Sequence, residues 1–367
     1  MELYYGRKRY MMRSLYSGIS GLKNHQTRMD VIGNNIANVN TVGYKASRTV
    51  FQDIFSQAVR SGTANSPLSG GTNPTQIGLG VKLSTVDVLH TPAPIARTDN
   101  PFDMMVEGDG FFIMGTPKLD PDDGTLLGYT YTYTRAGNFY LDNEGYLVNS
   151  DGLYVMGYAA GLEMSDGTDP LYPAGSVIVK DSGADTGQIN GLSGNVTYNP
   201  ITRQIDVADK TLLDRIRLRV PVSYEDTTGG TGGTGATTGA EYDPTDPTTF
   251  VDLLGFSVGP DGSVSVIIDD TKTTIAKISV AVFANPGGLE KAGNSLYRMT
   301  PSSGNAVYSL PQSNGAGKVL GGGLEMSNVD LATEFTDMIV TQRGFQANSR
   351  IITVSDTLLE ELVNLKR

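Results

Sequence analysis

Side chains that commonly carry enzyme or metal chemistry are scarce in this sequence. Its 367 residues include no cysteine and two histidines, which excludes disulfides, thiolate zinc sites, iron–sulfur clusters and a cysteine nucleophile. His25 and His90 are too few for a three-histidine metal site or an H-E-x-x-H zinc helix. The sequence also lacks a G-x-S-x-G elbow, a P-loop and a complete G-x-G-x-x-G between a strand and a helix. We therefore expect no catalytic residue, no bound metal and no cofactor.

Two acidic clusters are the remaining candidates for binding a cation. Residues 120–124 are Asp-Pro-Asp-Asp-Gly, and residues 142–145 are Asp-Asn-Glu-Gly. Neither cluster has the residue order of an EF-hand calcium loop, and Asp and Gly are common in turns. We interpret both clusters as solvated turns.

The charge of the chain is acidic and unevenly distributed. It has 28 basic and 39 acidic side chains, a net charge of -11, which disfavours a nucleic-acid partner. Residues 1–60 carry nine basic and three acidic side chains, whereas residues 324–367 carry four and seven. No apolar run approaches the ~20 residues of a membrane helix, and no Sec-type signal peptide is visible. We expect no nucleic-acid binding and no membrane insertion.

The two ends of the chain are predicted to form long amphipathic helices. From residue 13 to 38, and again from 331 to 362, apolar residues recur every seven positions, with others three or four apart. We call these two sets the apolar stripes: Leu15, Ile19, Leu22, Met29 and Ile36 in the first helix, and Leu331, Phe335, Met338, Phe345, Ile352 and Leu359 in the second. The first helix should end where residues that tolerate left-handed backbone conformations follow. These residues are Asn34, Asn35, Asn38, Asn40 and Gly43.

The region between the helices has the alternating pattern of β-strands. Polar and apolar residues alternate at 81–85, 129–134 and 215–222, and the Pro-Asp-Gly turn at 260–262 joins two such runs. The predicted fold is mainly β outer domains, with paired long terminal helices forming a coiled-coil-like core domain. The predicted segments are an extension at 1–11, a first helix and linker at 12–75, β segments at 76–158 and 256–323, an outer β insert at 159–255 with a Gly/Thr-rich loop at 227–249, and a last helix at 324–367.

The packing of the predicted helices leaves two possibilities. The free energy gained by burying eleven stripe side chains offsets only part of the conformational-entropy cost of ordering such long helices. We expect the helices to fold or pack stably only against other copies of the chain. The alternative is an ordinary helical hairpin docked on the β domain. Gly344, which costs about 1 kcal/mol relative to Ala inside a helix, indicates close helix packing in either case.

Several motifs resemble the rod and hook family of bacterial flagella. Residues 12–45 resemble its N-terminal signature, most specifically in the Asn-rich stretch at 32–41. Shorter resemblances occur at 108–112, 133–139, 285–290 and 293–297, and residues 327–349 resemble the C-terminal helix of hook subunits. The resemblance covers most of the chain apart from about 160–250.

The resemblance implies a structural subunit that assembles with itself into a helical homopolymer, with terminal helices inside and β domains outside. It implies an extracellular hook, a flexible curved tube that transmits motor torque from the rod to the filament. The implied partners are the rod, the hook–filament junction proteins, the hook cap during assembly and the flagellar type III export gate, which exports subunits without a Sec signal. The insert at 160–250 and the run at 333–338 favour a hook over the alternative, a distal-rod subunit. A glycan-binding or glycan-cleaving β protein is a remote alternative.

Two features of the N-terminal region lead to separate predictions. Phe51 and Phe55 resemble the motif by which early substrates dock on the export gate, although two Phe four residues apart also fit one face of a helix turn. Residues 1–11 have no counterpart in the family signature. We expect translation to start at Met11 or Met12, or the extension to be a disordered tail.

Overall fold

The computed structural model divides the chain into two compact units. The first comprises Met1–Asn40, Lys45–Thr91 and Ser327–Arg367, and the second comprises Thr41–Tyr44 and Pro92–Met326. The residues described are 2–65, 70–119, 126–143, 145–159, 161–164, 177–180, 196–199, 204–207, 214–216, 219–221, 250–252, 254–268 and 271–364. The predicted loop at 227–249 and the acidic cluster at 120–124 lie outside these residues.

The first unit contains both long helices. Helix α1 is Glu2–Ala37 and helix α2 is Leu331–Asn364. Helix α1 therefore begins well before the predicted start at residue 13, in a segment that contains no proline to prevent a helix. It ends in the Asn-rich segment, where the side-chain amide of Asn38 donates a hydrogen bond to the Asn34 carbonyl at 2.9 Å. The same carbonyl also accepts the backbone N–H of Asn38 at 3.2 Å.

Four strands of the first unit form one long antiparallel hairpin, where the sequence predicts a linker up to residue 75. The strands are β1 Ser47–Asp53, β2 Ser56–Arg60, β3 Thr75–Gly78 and β4 Val81–Val88. Strand β1 pairs with β4 and β2 with β3, and the Ile54–Gly80 and Phe55–Leu79 backbone hydrogen bonds join the two ladders. We call this element the 47–88 hairpin.

The second unit is mostly β, as predicted. In the described residues its main sheet has thirteen strands. Eight of them run in the order Leu254–Val258, Ser263–Ile268, Thr271–Ile278, Tyr154–Ala159, Phe111–Leu119, Leu126–Thr134, Leu296–Arg298 and Glu290–Gly293. The strands of the unit are β5 Ile95–Arg97, β6 Met104–Glu107, β7 Phe111–Leu119, β8 Leu126–Thr134, β9 Tyr140–Leu141, β10 Leu147–Val148, β11 Tyr154–Ala159, β12 Gly161–Met164, β13 Val177–Lys180, β14 Val196–Asn199, β15 Gln204–Val207, β16 Asp214–Arg215, β17 Arg219–Pro221, β18 Phe250–Asp252, β19 Leu254–Val258, β20 Ser263–Ile268, β21 Thr271–Ile278, β22 Val280–Val282, β23 Glu290–Gly293, β24 Leu296–Arg298, β25 Val307–Ser309, β26 Lys318–Gly321 and β27 Gly323–Glu325. The described part of the 142–145 cluster is the turn between β9 and β10.

Apolar side chains of β7 alternate between two hydrophobic clusters. Phe112 and Met114 belong to one cluster and Phe111 and Ile113 to the other, because successive side chains of a strand point to opposite faces. The ring centroids of Phe112 and Phe139 lie 5.2 Å apart at an interplanar angle of 89°. The central strands of this unit are therefore buried on both faces.

A buried ion pair joins two distant segments of the second unit. The guanidinium of Arg135 lies 3.5 Å from the carboxylate of Glu325, and both side chains are at least 96% buried. Arg135 also donates hydrogen bonds to the carbonyls of Val106 and Gly108, at 3.1 and 2.8 Å. Burial lowers the pKa of Arg135, and the charge of Glu325 opposes that shift. Glu325 therefore supplies the counter-charge of the buried Arg135 guanidinium.

We expect Glu325→Gln to destabilise the second unit by about 3–5 kcal/mol, because it leaves the Arg135 charge buried without a counter-charge. Glu107→Gln is the matched control, since Glu107 forms an exposed pair with Lys318 at 3.0 Å and should lose less than about 1 kcal/mol. Urea unfolding followed by tyrosine near-UV circular dichroism measures both. Equal losses in the two variants would contradict the role assigned to burial.

Candidate assembly site

Helices α1 and α2 lie side by side and antiparallel. A methyl group added at Gly18 would lie 3.5 Å from Cγ1 of Ile352, and one added at Gly21 would lie 2.7 Å from Nδ2 of Asn348. Nearer the end of α1, the guanidinium of Arg28 pairs with the Asp337 carboxylate at 2.9 Å. Residue numbers thus rise along α1 as they fall along α2, which makes the helices antiparallel neighbours.

The contact between the helices is made mainly by glycines and polar residues. We call it the helix seam, and it consists of Gly18, Gly21, His25, Arg28 and Asn35 in α1 with Glu334, Asp337, Gly344, Asn348 and Ile352 in α2. A methyl group added at Gly344 would lie 2.6 Å from Cε1 of His25. The side chain of Asn35 donates to the Glu334 carboxylate at 2.9 Å and accepts from the backbone N–H of Ser47 at 3.0 Å. Glycine lets the two backbones approach closely.

The predicted apolar stripes lie beside the helix seam rather than in it, with Ile352 as the exception. In α1, stripe residues follow seam residues by one position, as Ile19 follows Gly18 and Met29 follows Arg28. In α2 the same offset holds, as Phe335 follows Glu334. One position is a rotation of about 100° around a helix axis. In both helices the stripe lies one residue toward the C-terminus from the seam. Because the helices are antiparallel, this offset places both stripes on the same side of the helix pair.

This shared side, which we call the stripe face, is partly open to solvent. Phe335 is 49% exposed, Ile19 45% and Leu331 38%. The other stripe residues are half-buried, namely Leu15, Leu22, Met29, Ile36, Met338, Phe345, Ile352 and Leu359. The 47–88 hairpin approaches α1 from the opposite flank, where a side chain at Gly80 would collide with Ser20. The stripe face is therefore available for a contact outside the described part of this chain.

In and beside the helix seam are buried polar atoms that the described residues leave without a hydrogen-bond partner. They include Nδ1 of His25, Nδ2 of Asn24 and Oγ1 of Thr341. Burial, followed by the charge of Arg28, lowers the pKa of His25, and burial raises the pKa of Glu334. Unpaired buried polar atoms cost free energy, which offsets part of what the helix contact gains.

The Asn-rich signature residues have different roles in the structure. Asn35 lies buried in the seam, whereas Asn34, Asn38 and Asn40 surround the end of α1. Gly43 belongs to the second unit and has a φ of 67°, in the left-handed region that favours glycine. A side chain there would lie 2.5 Å from the backbone nitrogen of Ala136. Glycine is required at that position for two independent reasons.

The candidate export residues lie in the 47–88 hairpin. Phe51 is half-buried in β1 opposite Leu83, and Phe55 is 62% exposed just before β2. The alternative that they share one face of a helix turn is therefore wrong. The sequence missed this because short exposed strands lack a strong alternating pattern.

Other features of the described residues do not indicate catalysis or membrane insertion. A cavity in the second unit, lined in part by Thr41, Thr134, Asn138 and Asn149, presents hydroxyl and amide groups and no carboxylate. The described residues contain no cluster of three or more His, Asp or Glu arranged to hold a metal. Within the same residues, no helix combines the length and apolar character needed to span a bilayer.

We expect Gly344→Ala to destabilise the first unit by about 1–3 kcal/mol, because the added methyl group overlaps the His25 ring. Gly33→Ala is the matched control, since no atom lies within 4 Å of its added methyl group, and it should stabilise α1 by up to about 1 kcal/mol. Thermal unfolding followed by far-UV circular dichroism distinguishes them. Stabilisation by both substitutions would contradict the close approach at Gly344.

Comparisons with known proteins agree with the resemblance found in the sequence. Three family models match: the flagella basal body rod protein at residues 15–45, the flagellar hook protein FlgE/F/G D1 domain at 105–202, and the flagellar basal body rod FlgEFG protein C-terminal region at 320–365. The flagellar basal-body rod protein FlgG of Bacillus subtilis is 40% identical over 359 residues, covering 97% of this chain and 100% of that protein. The flagellar hook protein FlgE of Borreliella burgdorferi is 35% identical over 456 residues, with the same coverage. The chain belongs to the flagellar hook and basal-body rod protein family, whose members are structural proteins.

Proposed function

We propose that this chain is a structural subunit that polymerises head to tail into a helical tube of the flagellum through its terminal helices. The observation that carries the proposal is the stripe face, where two apolar stripes from opposite ends of the chain lie on one uncovered side. A contact between different surfaces of identical chains generates an open helical assembly where the rotation from copy to copy does not close a ring.

The pairing of α1 and α2 supports a coiled-coil-like core whose helices pack stably only in the polymer. Within one chain the helix seam buries few large apolar side chains, while Phe335, Ile19 and Leu331 remain exposed. Packing the stripe face against another copy would remove these side chains from water, at about 1.5–3 kcal/mol for each side chain fully buried. Assembly would thus supply the burial that the isolated helix pair lacks.

We assign the subunit to the hook, on the insert at 160–250 and the run at 333–338. The hook would bend while its core helices stay engaged, and it would contact the rod, the hook–filament junction proteins and, during growth, the hook cap. The subunit would reach this extracellular position through the type III export gate, with Phe51 and Phe55 as the docking residues.

A distal-rod subunit is the second candidate, and one observation favours it. The match to the Borreliella burgdorferi hook protein spans 456 positions, so that hook protein has at least 89 residues without a counterpart among the 367 of this chain. The match to the Bacillus subtilis rod protein spans only 359 positions. The rod relative therefore fits within the length of this chain, and the hook relative does not.

We expect Phe335→Ser to raise the lowest protein concentration at which tubes form by about tenfold, because part of the stripe face becomes polar. Val340→Ser is the matched control, since Val340 is 57% exposed on the same helix but lies on the other flank of the seam. Sedimentation and electron microscopy of purified protein measure the threshold. A larger effect at Val340 than at Phe335 would place the contact on the flank opposite the stripe face and contradict the proposal.

Deletion of the gene should leave cells with a complete rod and no hook. Electron microscopy of purified basal bodies from the deletion strain shows where assembly stops, and restoration of the hook by the cloned gene is the control. Basal bodies that lack the distal rod would overturn the hook assignment and support the second candidate.

A further inference from the structure

The cavity of the second unit lies where three motifs of the sequence meet. It has a volume of about 240 Å³, and its walls come from segments 41–42, 134–138, 149–150 and 294–295. Three of these segments belong to, or directly follow, the motifs at 32–41, 133–139 and 293–297. Segments far apart in the chain therefore converge on one small space, which we call the polar cavity.

Hydrogen bonds hold the walls of the polar cavity in place. The hydroxyl of Thr134 donates to the Ser295 carbonyl at 2.9 Å. The side-chain amide of Asn294 donates to the Asp151 carboxylate at 3.1 Å, and the side-chain oxygen of Asn149 accepts the backbone N–H of Asp151 at 3.0 Å. The cavity is therefore formed before a ligand arrives, which lowers the entropic cost of binding.

Three residues that line the polar cavity have side-chain polar groups that no described residue engages. They are the amide of Asn138 and the hydroxyls of Ser150 and Ser295. An asparagine amide both donates and accepts hydrogen bonds, and so does a hydroxyl. The polar cavity can therefore exchange hydrogen bonds in both directions with a ligand.

The lining of the polar cavity selects against charged ligands. Among the described residues that form it, none is charged and none is aromatic. Without Lys, Arg or His it offers no counter-charge to a phosphate or carboxylate, and without Asp or Glu it offers none to a metal ion. Its apolar side chains, Val42 and Ala136, are small. This chemistry favours a neutral ligand that carries several hydroxyl groups.

The size of the polar cavity fits a single ring. Its volume of about 240 Å³ lies just below the roughly 300–1,000 Å³ of sites for drug-sized ligands. At about 30 Å³ for each molecule, roughly eight waters would fill the same space. A sugar ring can replace their hydrogen bonds with its hydroxyls at Asn138 while its C–H groups contact Val42 and Ala136.

We propose that the polar cavity binds one neutral sugar residue through hydrogen bonds with Asn138, Ser150 and Ser295. The site lies in the second unit, whereas the stripe face lies in the first. It would therefore add a binding activity to the assembly role, and the proposal does not rest on that role. Ser150 and Asn294 are exposed where they line the cavity, so the bound residue can be a free sugar or one unit of a glycan.

Saturation-transfer difference NMR on the purified, unpolymerised full chain tests the proposal, with glucose, galactose, mannose and N-acetylglucosamine as probes. We expect at least one of them to bind with a Kd on the order of 1 mM, because a small ligand makes few contacts. Asn138→Ala should weaken that binding about tenfold, because it removes a donor and an acceptor. Asn305→Ala is the matched control, since Asn305 is exposed in the same unit and does not line the cavity.

A second variant keeps the test independent of folding. Ser150 is exposed, and its hydroxyl has no partner among the described residues, so Ser150→Ala should leave the fold intact and weaken binding about threefold. Near-UV circular dichroism checks the fold of every variant. Binding by none of the four sugars, or equal binding by the Asn138→Ala and Asn305→Ala chains, overturns the proposal.

Two further sets of probes identify the source and the class of the ligand. Tighter binding of glucose or N-acetylglucosamine tetramers than of the single sugars supports a glycan, and equal binding supports a free sugar. Inorganic phosphate and N-acetylglycine methylamide represent an anion and a peptide. Tighter binding of either one than of every sugar overturns the proposal. Failure of the chain to form tubes would overturn the proposed function and leave this measurement unaffected.

Discussion

The close approach of α1 and α2 through glycine and small polar residues determines the rest of the first unit. Gly18, Gly21 and Gly344 leave room for the facing helix at the places where a side chain would otherwise hold the two apart. Large apolar residues are then displaced by one position, and antiparallel packing places both sets on one side. The same geometry that joins the chain ends thus leaves an apolar surface uncovered.

This arrangement leaves the contacts of the proposed assembly open in the single chain. The helix seam is specific, because Arg28 meets Asp337 and Asn35 meets Glu334, but it buries polar atoms that lack partners. This specific pairing defines which side of the helix pair presents the exposed apolar side chains of Ile19, Leu331 and Phe335. In that respect the terminal helices differ from β7 of the second unit, whose side chains from Phe111 to Met114 are buried in two clusters within the chain.

The second unit obtains its order from different interactions. Two hydrophobic clusters cover the faces of the central strands, and the buried pair of Arg135 and Glu325 ties β27 to the end of β8. A buried ion pair is weak support for stability in general, but it makes one arrangement of the two segments much better than others. The carbonyl of Glu325 also accepts a hydrogen bond from Gly43 at 2.8 Å, which links the end of the Asn-rich signature to the same point.

Sequence alone was sufficient for the elements whose signal is local. The seven-residue apolar repeats predicted both terminal helices, the Asn-rich segment predicted where α1 ends, and alternation predicted a β middle, because helix and strand periods are set by backbone geometry. The sequence predicted β4 from the alternation at 81–85 but missed β1, β2 and β3 of the 47–88 hairpin, since a short exposed ladder has little alternation to detect. Only the tertiary structure decided that Gly344 faces His25, that Asn35 lies in the seam, and that the stripes share one side instead of facing each other. Those facts depend on how two segments about 300 residues apart rotate against each other, and that rotation is chosen by which residues allow the closest approach.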